Sequence, residues 1–437
     1  MSRGATACWR PRALSLAGAL CLLGVTLEDV RAQQAYKHMG VASCASSQCH
    51  GKLEAQIDRD VALNEYRVWH SQDRHAQAYR TLGQQPLSAT IAAKLGLPNA
   101  ATAPQCLNCH ADNMPAQTRG PKFQISDGVG CEACHGGAER WLDKHAQKGV
   151  THEANVAAGM YPTDLPARRA QLCLSCHLGT ADKFVTHALI AAGHPRLRFE
   201  LDTFTANQPA HFQVTASYVA RKGKPDETAL WLTGQVESAR RFLALLQSAV
   251  ANPPGMFPEI ALYDCFACHH STDKIRWTSE RVGPGVRPGT PRLQREHLVI
   301  LEGAASALGD TAASSYLRSA ETALTRAGQS DEKSARASAA EISAWLQSHG
   351  PWTRRSYSRA ESGAMRRTLV HYAASDRGSD YLVAEQLVLA VESLSYSLGD
   401  RDAHLKDIDT LYNSLGNPPT FDPAVFARAA AGLEKRF

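Results

Sequence analysis

The chain has 437 residues, 44% hydrophobic and 20% charged, with a formal net charge of +5. A mean hydropathy of -0.30 belongs to a soluble globular chain, too apolar for a disordered protein and too polar for a membrane channel. No Lys/Arg block stands out, so nucleic acid is not an expected partner. The unusual entries in the composition are 12 Cys and 18 His.

Residues 1–32 read as a leader. Arg3, Arg10 and Arg12 precede an uncharged run from Ala13 to Leu27, and Val30-Arg31-Ala32 offers small side chains for cleavage. The run is short for a spanning helix, and no later stretch is long and apolar enough to cross a bilayer. The expectation is an exported, periplasmic protein with no membrane span after removal of the leader. Loss of residues 1–32 lowers the formal charge from +5 to +3 and takes away Cys8 and Cys21.

The ten remaining cysteines fall into five segments, taken here in chain order. The first, CASSQCH, runs from Cys44 through Cys49 to His50. Four Cys-x-x-Cys-His segments follow: Cys106, Cys109 and His110; Cys131, Cys134 and His135; Cys173, Cys176 and His177; and Cys265, Cys268 and His269. The composition would yield roughly 0.014 Cys-x-x-Cys-His matches by chance, and this is the pattern that attaches c-type haem. Two thiols add to the two vinyl groups of one porphyrin, and the adjacent His falls beneath the iron as its fifth ligand. The expected cofactor is therefore five covalent haem c groups, or four if the wider Cys44–His50 site is not used. Three readings compete. Cys106, Cys109, Cys131 and Cys134 approach zinc-ribbon spacing, ten cysteines could pair as disulfides, and a Cys-x-x-Cys could be a redox dithiol. None of them requires His after every second cysteine.

Thirteen His remain as candidates for the sixth iron position, while only five Met (Met39, Met114, Met160, Met256 and Met365) lie outside the leader. Bis-His ligation is the better expectation. His38, His70, His75, His145, His152, His187, His194, His211 and His270 lie within or beside the motif-bearing stretch. His297, His349, His371 and His404 are scattered through the C-terminal part. The selection is His75, His145, His187, His194 and His211, with His152 in reserve and His70 as an alternative to His75. His145 and His187 each follow a motif His by ten residues, and His194 sits in a Gly-His-Pro turn. Tyr66, Trp69 and Tyr79 could pack on porphyrin faces.

From Tyr36 to about Ser271 the text is mostly short and turn-rich, as expected where porphyrins supply the apolar volume. Motifs two and three, 25 residues apart at their His, should give neighbouring haems. One long helix interrupts, with Leu232, Val236, Ala239, Leu243 and Leu246 on one face and Asn252-Pro253-Pro254-Gly255 as its stop. A Gly/Pro stretch at 282–291 marks a linker. Residues 292–437 read as a bundle of five to seven helices, in which Leu387, Ala390, Val391, Leu394 and Leu398 form one face closed by Gly399. The fold class is thus mainly α with extensive irregular loops: a multihaem domain over 33–281, then the helical bundle.

Residues 36–271 resemble the multihaem c-type cytochromes, the superfamily of the nitrifier tetrahaem cytochrome, pentahaem nitrite reductases and octahaem hydroxylamine oxidoreductases. The resemblance is carried by the Cys-x-x-Cys-His sites, CEACHGG ending at Gly137, DRHAQAY around His75 and AGHPRL around His194. It implies periplasmic electron transfer through closely packed, mostly bis-His haems, with redox proteins as donor and acceptor and an oligomer left open. The superfamily also contains enzymes, so a multihaem oxidoreductase acting on a small nitrogen or sulfur compound at one open haem is the alternative. Two departures weigh against it. Pentahaem nitrite reductases usually carry Lys in place of the motif His at the catalytic haem, whereas all five motifs here end in His. Hydroxylamine oxidoreductase has eight haems, and five sites are available here.

Overall fold

A computed structural model describes residues 36–57, 61–248, 257–270, 286–349, 352 and 355–437. The leader and the first part of the 282–291 stretch lie outside the described residues. Among the described residues the architecture is mainly α-helical, with three isolated β-bridges and no longer strands. No helix among them is long and apolar enough to cross a membrane.

The first half is built from short helices joined by turns: α1 (Glu65–Gln72), α2 (Ala78–Gln84), α3 (Pro86–Lys94), α4 (Pro104–His110), α5 (Cys131–His135), α6 (His152–Ala157), α7 (Pro166–His177), α8 (His187–Ala192), α9 (Leu201–Asn207) and α10 (Ala216–Lys222). Proline opens α3, α4 and α7, where its missing N–H costs nothing and its fixed φ suits the first turn. Three regular motifs lie on helices: α4 and α7 end on the motif His, and α5 is the motif itself. A helix brings residues i, i+3 and i+4 to one face, so Cys-x-x-Cys-His presents two thiols and one imidazole on the same side. After His135 the chain turns away through Gly136, at φ 77, where a Cβ would stand 2.8 Å from the Gly159 carbonyl oxygen. Apolar packing in this half is thin. One cluster holds Leu82, Ala92, Ala100, Leu107 and Ala111, another Ala170, Leu174, Phe199 and Leu201.

The long helix α11 (Glu227–Gln247) carries the expected stripe and ends before the Asn-Pro-Pro-Gly stretch. Seven further helices follow: α12 (Glu296–Ala307), α13 (Thr311–Ser330), α14 (Glu332–Ser348), α15 (Arg359–Ala373), α16 (Tyr381–Ser397), α17 (Arg401–Asn413) and α18 (Pro423–Glu434). Leu387, Ala390, Val391 and Leu394 of α16 are fully buried, and Gly399 at φ 66 follows its end. These helices share one apolar core with Trp231, Leu232 and Leu243 of α11 and with Leu262 and Phe266 beside the fifth motif.

A strap over 196–202 joins the halves. Arg196 Nη2 donates to Glu385 Oε1 of α16 (2.6 Å), Gln386 Nε2 donates to the Phe199 carbonyl (3.0 Å), and the Ser393 hydroxyl donates to Glu200 Oε2 (3.1 Å).

Candidate functional site

The motif half encloses a cavity of about 3210 Å³. Its wall includes both cysteines and the His of each of the first four motifs, together with His75, His145, His194 and His211. A pocket for one drug-sized molecule spans roughly 300–1,000 Å³. Shared among four motifs, the cavity gives about 800 Å³ to each.

The imidazoles are arranged in pairs across this space. Ring centroids stand 6.1 Å apart for His50 and His145, 6.1 Å for His75 and His177, 6.3 Å for His110 and His194, and 6.4 Å for His135 and His211. A fifth pair, His187 and His269 at 6.2 Å, completes the set outside the large cavity. Every pair joins one motif His to one of the five non-motif His selected from the sequence. An imidazole nitrogen sits about 2 Å from a bound metal, and the ring centre lies roughly 1 Å beyond it. Two rings on one metal are therefore about 6 Å apart, the spacing found in all five pairs.

The outer face of most rings is held by an acceptor. His50 Nδ1 donates to Glu65 (2.9 Å), His75 Nδ1 to Asp73 (2.9 Å), and His110 Nδ1 to the Ala78 carbonyl (3.2 Å). His145 Nδ1 donates to the Leu142 carbonyl (2.6 Å) and His194 Nδ1 to the Pro195 carbonyl (2.7 Å); His211 reaches the Pro209 carbonyl at 3.4 Å. A metal-binding His usually donates its far N–H in this way, which fixes the tautomer and turns Nε2 toward the metal. Asp73 is itself anchored by the His75 backbone N–H and Gln208 Nε2, and is held down at about 2 chiefly by its bonds to His75, against its burial. Burial pushes His135 down to about 4 and also lowers His177 and His194. These rings are neutral at neutral pH, the state a metal ligand requires.

The ten cysteines among the described residues are free thiols. Cys44 lies within hydrogen-bonding reach of Cys131, which lowers the first and raises the second. Cys109 and Cys176 form a second such pair, in which Cys176 is lowered and Cys109 raised, and the Cys176 sulfur also accepts from Lys183 Nζ at 3.1 Å. Burial raises Cys134 to about 12, with the sulfurs of Cys173 and Cys176 adding to the effect. Motifs two and three line the same cavity, but the thiol contacts run between motifs one and three and between two and four. Among the described residues no group of three or more His, Cys, Asp or Glu is gathered as a single metal ion would need. The Cys106–Cys134 set is therefore not drawn together as a zinc ribbon would require.

Residues 35–136 match the family model described as cytochrome c554 and c-prime. Over that stretch the chain is similar to a c-type cytochrome family. Electron transfer through covalently bound haem c is the role of that class, and the paired imidazoles, thiols and cavity volume fit the group. No curated protein and no solved structure matches the chain.

The remaining His of the chain take other places. His152 Nε2 is bonded to Asp164 Oδ1 at 3.0 Å, and Lys222 holds the other oxygen of that carboxylate at 2.6 Å. His70 is exposed and packs on Tyr66 at 5.6 Å, while Trp69 donates to the Val129 carbonyl at 3.0 Å. Tyr79 packs beside Leu82 and Leu107, and His270 lies 5.8 Å from the Phe266 ring. Sequence reasoning did not single out two buried groups near the site. His38, which lines the cavity, bonds through Nδ1 to Asp112 at 2.7 Å. Glu132, inside the third motif, accepts from the backbone N–H groups of Met39, Gly40 and Ala138, each at 2.7 Å. The acidic residue between Cys131 and Cys134 was the available signal, since a charge there must be answered by several donors once buried.

Proposed function

We propose that the chain is an exported, periplasmic electron carrier holding five haem c groups, each ligated by two His. The haems supply reversible one-electron storage. Thioethers form at Cys44 and Cys49, Cys106 and Cys109, Cys131 and Cys134, Cys173 and Cys176, and Cys265 and Cys268. The axial pairs are His50 with His145, His110 with His194, His135 with His211, His177 with His75, and His269 with His187. Glu65, Asp73 and the backbone carbonyls orient six of these rings, which restricts each of the six to one tautomer. The thiol contacts support a compact group of four haems, with the fourth beside both the second and the third. The fifth lies beyond it, against the bundle.

The single observation that carries this reading is the set of five imidazole pairs at 6.1–6.4 Å. With an imidazole facing each motif His, no motif is left as an evident substrate site. Residues 1–32 serve as the cleaved leader, 33–281 as the haem domain, 282–291 as linker and 292–437 as a bundle that scaffolds or docks partners. Redox proteins act as donor and acceptor.

Intact-mass measurement of the purified protein should find five covalent haems. Four, with the Cys44–His50 peptide unmodified, would remove that site. Low-temperature EPR of the oxidised protein should show low-spin signals alone, unchanged by nitrite, hydroxylamine or nitric oxide. A high-spin signal perturbed by any of them would replace the carrier with the oxidoreductase.

A further inference from the structure

A second, small cavity of about 50 Å³ lies between the fourth and fifth motifs. Its wall contains His177, Ile190 of the helix that begins at His187, and Leu262 just before the fifth motif. Its polar lining comes from Glu296, His297, Gln294, Arg196, Arg198, Ser238, Glu385 and Gln386, with Arg198 standing 3.8 Å from Glu385. Glu296 opens α12 and is 7% exposed, yet its Oε2 is buried with no hydrogen-bond partner. A buried carboxylate oxygen without a donor is costly unless it is protonated or meets water. One water needs roughly 10–15 Å³ and two or more polar partners, and this cavity offers both.

We propose that this pocket holds water and that Glu296 binds a proton there when the cytochrome is reduced. The inference rests on the haem assignments at His177 and His269. An electron delivered by a one-electron donor protein adds a negative charge next to the pocket. In a poorly screened interior that charge disfavours a second negative charge on Glu296. A proton from solvent, passed by the pocket water, forms an O–H bond at Oε2 and restores the local charge. No bond within the protein breaks, and reoxidation releases the proton.

The surroundings single out Glu296 from the other acids. Burial raises its pKa to about 7, against the pull of a hydrogen bond from its own backbone N–H; Asp264 and Glu385 add to the rise, while Arg196 opposes it. Glu385 is engaged by Arg196 at 2.6 Å. Asp264 is also raised, but its oxygens accept the N–H groups of Phe266 (2.7 Å) and Leu382 (3.2 Å), which favour the ionised form. His297 is pushed down to about 3 by burial and is neutral, and its Nε2 stands 3.9 Å from Glu296 Oε1, beyond hydrogen-bond distance. Arg292 and Arg295, on the preceding turn, are taken by Asp380, with Glu321 also on Arg295.

The test is a reduced-minus-oxidised infrared difference spectrum of the holoprotein at about pH 8, with dithionite as reductant. A carboxylic acid C=O band should appear on reduction, move in D2O and vanish in Glu296→Gln. Glu296→Asp should shift the band without abolishing it, which guards against a folding failure in the glutamine variant. A wild-type spectrum without the band, or a band that survives in E296Q, overturns the proposal. Haem counting on the same samples separates the two levels. Five haems with no band refutes the proton site alone, whereas haem missing from the fourth or fifth motif refutes the assignment beneath it.

Discussion

The bundle over 293–437 and the motif half over 36–211 are both helical but hold their shape by different means. The bundle and α11 share one apolar core in which Trp231, Leu387, Val391 and Phe426 are fully buried. A chain of ion pairs runs through the same helices: Arg292 and Arg295 to Asp380, Arg295 to Glu321, Arg377 to Glu321 and Glu302, and Arg318 to Glu302. The motif half has two clusters of five and four residues set around a 3210 Å³ cavity. Apolar burial supplies roughly 25 cal/mol per Å², and a region with so little of it must take its interior from elsewhere. The same backbone class therefore serves a scaffold packed on its own side chains and a container built around a large cavity.

Denying the container its proposed contents should collapse the motif half alone. In Cys173→Ser with Cys176→Ser, the motif half should lose its protease resistance, while a fragment spanning α12 to α18 survives limited proteolysis. Equal digestion of both halves would show that the bundle is not self-sufficient. The converse experiment is Leu387→Ala. A fully buried leucine on α16 should cost about 2–5 kcal/mol in the bundle's unfolding transition, with the haem count and absorption spectrum unchanged.

Acidity acts where the halves meet. Asp202 lines the large cavity and is raised to about 7, first by burial and then by Glu200. Its folded pKa lies above the unfolded one, so the folded protein binds more protons between the two values. Its stabilising contribution is complete below about pH 4 and is lost as pH rises through about 7. The unfolding free energy of the wild type should therefore fall between pH 5 and pH 8 more than that of Asp202→Asn, by an amount on the order of 2 kcal/mol. Parallel profiles would assign the slope to other groups. The smallest effect is expected at Thr186, whose hydroxyl accepts the Leu189 N–H and caps the helix that begins at His187. Thr186→Ala should cost about 1 kcal/mol and alter the EPR signal of one haem while leaving four unchanged.

Much of this was legible in the residues. The five motifs, and with them the candidate thiols and motif imidazoles, could be read directly because they are defined by a fixed local spacing. The stripes on α11 and α16 were equally plain, since each is a local periodicity. The pairing of rings was not legible. His145 lies ten residues after His135 and His187 ten after His177, yet they face His50 and His269. Those partners are set by how the short helices stack around the cavity, and sequence offset carries no information about that. The Glu296 pocket was invisible for the same reason, because its wall draws on five separate segments of chain.

The ring pairs also bear on mechanical integrity. Their members are separated by 95, 102, 84, 76 and 82 residues, in the order His50–His145, His75–His177, His110–His194, His135–His211 and His187–His269. With iron bound as proposed, each pair is a cross-link closing a long loop, and closing loops of that length removes much of the freedom of the unfolded chain, as a disulfide does. Unlike a disulfide, such a staple opens reversibly when a small ligand takes the distal position. Cyanide or free imidazole would then loosen the container one loop at a time and leave the bundle intact.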